Sequence, residues 1–111
     1  MGIIMNYEDW ENFMLNKGYP KPFLKNIAVG SVVTLQSSLV KITKCSTPKE
    51  ILDENKELKY NAQKYGLSKL DTLSDTLSDE IQKDGELKSI IQEMAVHLKE
   101  YKEMVKSNCS N

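Results

Sequence analysis

Residues 87–105 read LKSIIQEMAVHLKEYKEMV, and within them Leu87, Ile91, Met94, Leu98, Tyr101 and Val105 recur in steps of 4, 3, 4, 3 and 4. That spacing keeps one apolar edge on an α-helix and is the heptad form of the pattern. A strand would need alternation in steps of two, which this stretch lacks. The edge must be covered, either by the rest of the chain or by a second copy. Upstream, Leu70, Leu73, Leu77 and Ile81 follow helical spacing from Ser68 until Lys83-Asp84-Gly85 interrupts. A glycine costs about 1 kcal/mol inside a helix, so two helices joined near Gly85 as an antiparallel hairpin are preferred over one rod.

Working towards the N-terminus, Thr47-Pro48-Lys49-Glu50 is the clearest local signal. It combines a Thr cap, Pro at the first helical position and Glu placed to reach back to the cap amide. The helix it starts carries Ile51, Leu52, Leu58, Ala62 and Tyr65 on one face and ends at Gly66. Between Phe23 and Lys44 two patterns compete. Leu24, Ile27, Ala28, Ser31, Leu35, Leu39 and Ile42 keep helical spacing, with Gly30 a weak point. The β-branched runs 31–35 and 39–43 flank Gln36-Ser37-Ser38 as a hairpin would. The helix is the preferred reading and the hairpin its alternative. A first helix over about 7–17, capped by Asn6 and stopped at Lys17-Gly18, precedes a proline-stiffened connection at residues 19–22.

The expected fold is therefore all-α: one domain over 1–111, a bundle of four or five helices with a C-terminal helical hairpin. The alternative is α+β with a short hairpin at about 31–43. Hydrophobic and charged fractions of 40% and 28% are those of a folding domain. A chain of this length buries roughly 65% of its unfolded surface without staples. Cys45 and Cys109 have no close-spaced partner, so reduced thiols in a cytoplasmic setting are expected. Residues 1–10 carry no cationic run and only the apolar triplet Ile3 to Met5, so neither a secretory signal nor membrane partners are expected. The sequon Asn108-Cys109-Ser110 reads as chance in that setting.

Catalytic chemistry finds little to work with. His97 is the only histidine. It stands four residues after Glu93 on one helical face, giving two ligands where a zinc site takes three or four. Cys45 with His97 as base would have to be assembled by folding, and no phosphate loop or nucleophile elbow occurs. A non-enzymatic protein without cofactor is the expectation.

Charge carries more information. All fifteen basic residues are Lys, which rules out the two-pronged grip of Arg on carboxylates and phosphates. The same bias suggests AT-rich coding in a low-GC bacterium or its phage. Six lysines and no acid lie between Asn12 and Lys49, while residues 71–86 hold six acids against Lys83 alone. Asp71, Asp75 and Asp79 fall on one side of a helix, with Glu80 beside them. Either they form a solvated face near the chain's own basic half, or they are a docking strip for a basic partner.

The expected function is that of a protein-binding modulator or adaptor, such as a host-factor inhibitor or immunity-type protein of a mobile element. Its contacts are expected at Asp71, Asp75, Asp79, Glu80, Trp10, Leu87, Ile91, Met94 and Leu98. A homodimer through the heptad seam is a further expectation. The alternative is a small nucleic-acid-binding regulator acting through the Lys-rich half, which a pI near 5.8 disfavours.

Overall fold

The computed structural model describes residues 6–83 and 85–109. The apolar run at 3–5, Asp84 of the interruption and Ser110 of the sequon lie outside them. Five α-helices and no strand occur among the described residues: α1 Tyr7–Asn16, α2 Leu24–Lys44, α3 Pro48–Lys64, α4 Ser68–Gln82 and α5 Lys88–Cys109. A single 3-10 turn, Lys21–Phe23, leads into α2.

Helices α2 to α5 form a closed ring in which each packs on the next and α5 returns to α2. Short connections make sequence neighbours antiparallel. Cross-helix pairs confirm the register between α3 and α4, with Gln63 and Lys59 reaching Asp71 and Asn55 reaching Ser74 and Ser78. The expected C-terminal hairpin is present, α4 ending at Gln82 and α5 beginning at Lys88. Leu87 lies just ahead of α5, its carbonyl accepting from the Ile91 amide.

The hairpin alternative at 31–43 is corrected: that stretch is the interior of α2. Leu24, Ala28, Ser31, Leu35, Ser38 and Ile42, stepped 4, 3, 4, 3 and 4, are buried along it. The β-branched and hydroxyl residues are accommodated locally. Ser31 and Thr43 donate to carbonyls three residues back, at 2.7 and 2.6 Å, and Thr34 donates to Gly30 O at 3.0 Å. Burial of one full face outweighs a strand preference that depends on context in any case.

The starts and stops follow local chemistry. Asn6 accepts from the Asp9 amide at 2.8 Å, and Thr47 with Glu50 closes a complete capping box on α3. Gly66 follows α3 at φ 72°, and the Leu67 and Gly66 amides return to Ala62 O and Gln63 O, a Schellman closure. Gly66 also lies under the Phe13 ring, which a Cβ there would meet at 2.6 Å. Helix α1 thereby docks across the end of the bundle, inserting Trp10 and Met14 fully into the core. Trp10 Nε1 is buried without a hydrogen-bond partner among the described residues. Such an orphan costs about 1–3 kcal/mol, set against the apolar area that Trp10 and Met14 bury, while the Cys109 thiol donating to the Tyr7 hydroxyl at 3.5 Å adds a polar contact between α1 and α5.

Two polar contacts cross the core. The Ser31 and Tyr101 hydroxyls meet at 2.6 Å between α2 and α5, and burial pushes the phenol well above its ordinary pKa, the Ser31 bond acting the other way. Between α3 and α4, Asn55 donates to Ser74 O and Ser78 Oγ at 2.8 Å each and accepts from Ser74 Oγ at 2.7 Å. A buried amide satisfied this fully penalises any slip between the two helices.

Candidate interaction surfaces

The residues expected to touch a partner are scattered by the fold. Trp10, Met94 and Leu98 are at most 1% exposed, and Leu87 and Ile91 are half-buried against the same core. Trp10 and Met94 are turned into the core and α2 and α4 cover most of the heptad seam, while Leu98 and Val105 also border the groove between α2 and α5.

The acidic strip is also altered. Lys59 of α3 sits between Asp71 and Asp75, 2.5 and 2.7 Å from one oxygen of each. Hydrogen bonds to Asp71 and then Asp75 raise the lysine's pKa, against a small opposing effect of burial. The neutralising cation comes from the neighbouring antiparallel helix and not from the lysine-rich stretch 17–49. Asp79 stays exposed and Glu80 is half-buried, so only the C-terminal end of the strip faces solvent unpaired by Lys59.

The groups weighed for catalysis lie in different surroundings. Cys45 closes α2, its thiol donating to Lys41 O at 3.1 Å. Partial burial, Glu50 and Glu54 all push that thiol up, the reverse of an activated nucleophile. His97 is on α5, its Nδ1 3.7 Å from Glu100 Oε1. Burial chiefly holds its pKa below the ordinary value, with Lys69 acting the same way and Glu100 opposing. Glu93 and His97 line one depression of about 390 Å³ between α4 and α5. Among the described residues no three metal-binding side chains gather anywhere.

A different surface emerges on the other side of α5. Val29, Val33 and Val40 of α2 are 50%, 63% and 48% exposed. They form the α2 wall of two abutting depressions of about 290 and 520 Å³ that share Gln36 and Lys102. Val32, Leu39, Leu98 and Val105 form the floor, and Lys99, Lys102 and Lys106 stand on the α5 wall. Among the described residues no carboxylate lines these two depressions, and Glu103 lines an adjoining one.

Helix geometry explains it. Residues 29, 33, 36 and 40 lie within about 60° of one another, with Val29, Val33 and Val40 turned away from the buried face and Gln36 at its margin beside Val32 and Leu39. Helix α2 thus carries one apolar edge for the core and a second that nothing in the bundle covers. The signal was present in the sequence. Residues 21–44 are long and apolar enough by length and composition alone to cross a membrane, yet eight buried residues satisfy the core. The surplus is the second edge, which the spacing of the buried seam does not reveal.

No protein-family model, curated protein or solved structure matches this chain in comparison, so its function is read from the α2–α5 face itself.

Proposed function

We propose that this chain is a non-enzymatic protein-binding module, acting as a modulator or adaptor, and that it captures a helical segment of another protein in the groove between α2 and α5. The carrying observation is the row of half-exposed valines beside a concave, lysine-walled surface that no carboxylate lines among the described residues. A soluble helix ordinarily turns polar residues outward, and a contiguous apolar strip on its outer face marks an interaction site. Parallel walls with an apolar floor are the shape that receives a helix.

The nucleic-acid alternative is weakened by the same face. From Asn26 to Val40 no residue is charged, so the lysines of α2 stand at the ends of an apolar stretch rather than in a phosphate-tracking row. Lys17 is engaged elsewhere, donating to Gln63 O and lying over the Phe13 ring.

A photo-crosslinking residue at position 33, expressed in the native host, tests the proposal. It should yield adducts that map to one helical segment of a partner protein. The same probe at Tyr60, an exposed site on α3, should not. Equal labelling from both positions, or adducts to nucleic acid alone, would overturn the reading.

A further inference from the structure

The groove is uneven in charge, and the unevenness specifies its occupant. Its α2 wall is neutral for about 22 Å, four turns of helix. Its α5 wall is basic because α5 sorts its charges by side. Lys88, Lys99 and Lys102 fall in one sector of about 60°, while Glu93, Glu100 and Glu103 fall in the next. In the structure Lys99 and Lys102 line the groove, with Glu103 on their far side in an adjoining depression, whereas Glu93 and Glu100 line the depression against α4.

We infer that the groove takes an amphipathic helix of about four turns with Asp or Glu along one edge of its apolar stripe, that edge lying against Lys99 and Lys102. This rests on the reading of the groove as a protein-binding surface and adds the chemistry of the partner. A docked helix strips water from both ammonium groups, and a desolvated charge without a counter-charge is strongly unfavourable. Basic and neutral helices are therefore rejected, and acidic ones are also drawn in at longer range.

A second copy of the chain fits poorly. The same face of a second copy would bring its own Lys99 and Lys102 and, among the described lining residues, no carboxylate to meet them. An anionic lipid surface fits poorly as well. Interfacial helices insert bulky aromatic and leucine side chains, whereas the exposed edge here is valine, with the small residues Gly30 and Ser37 beside it.

The test is a display library of roughly 15-residue helical peptides with a fixed apolar stripe and randomised flanks, panned on the whole protein and on the Lys99→Glu/Lys102→Glu variant. Both substitutions are at exposed positions, and circular dichroism should show the variant folded. The wild-type chain should select acids on one flank. Affinity should fall about tenfold in the double variant and weaken with added salt, and the variant should select basic flanks instead. Groove-binding peptides with no acidic bias would overturn the partner chemistry while leaving the groove a helix receptor. If no peptide is selected, or if selected peptides are indifferent to Val33→Asp, the groove reading falls too. Binding of phosphatidylserine vesicles, lost in Val33→Asp, with no peptide selected, would make the face a membrane contact and overturn both.

Discussion

His97 is the only side chain of its type here, and the fold holds it half-buried with its charged form disfavoured. In the unfolded chain an imidazole titrates near its ordinary value of about 6.5. Since the folded value is lower, the unfolded state takes up the proton first as the solution is acidified. Stability from this residue is complete above that unfolded value and declines as pH falls through it. Melting temperature should therefore drop between about pH 7.5 and 5.5, a window in which ordinary carboxylates do not titrate. His97→Gln should flatten the profile. Glu100→Gln should steepen it, because Glu100 is the neighbour that opposes the shift. Parallel profiles for all three proteins would show that the imidazole is equally easy to protonate folded and unfolded.

Among elements, α2 shows how far the sequence could be read. Its apolar seam was legible at helical spacing, and so were the capping box at Thr47 and the glycine stop at Gly66, because each depends on residues within a few positions of one another. What could not be read was which exposed residues would remain uncovered, since that depends on which face α5 occupies. The heptad edge at Met94 and Leu98 states that something must cover it, not what, and here α2 and α4 do most of the covering. Gly30 was read as a weak point and is accommodated mid-helix, exposed, with open space where a Cβ would sit. Gly30→Ala should then stabilise the fold by about 0.5–1 kcal/mol. For a chain of this size that is a rise of roughly 2–6 °C in melting temperature. A fall would mean that the backbone there is not the helix described.

At the scale of the molecule, the long axis of 44 Å against 27 and 25 Å reflects long helices lying side by side with α1 across one end. The chain has two kinds of apolar surface, and they should respond oppositely to the same treatment. Leu98 belongs to the first kind: although it borders the groove floor it is only 1% exposed, and Leu98→Ala should cost about 2–5 kcal/mol through lost burial and the cavity left behind. Val29, Val33 and Val40 belong to the second kind. Their β-branched shape favours neither folding nor helix when half in water, so Val→Thr at all three keeps the shape and removes only apolar character. The triple variant should unfold in urea within about 0.5 kcal/mol per site of the parent, while its binding of a hydrophobic dye and its capture of any groove ligand should both fall. If it instead unfolds as readily as Leu98→Ala, the strip is part of what holds the bundle together. If stability and binding are both unchanged, these valines are neither structural nor the contact surface, and the acidic end of α4 at Asp79 and Glu80 becomes the better place to look.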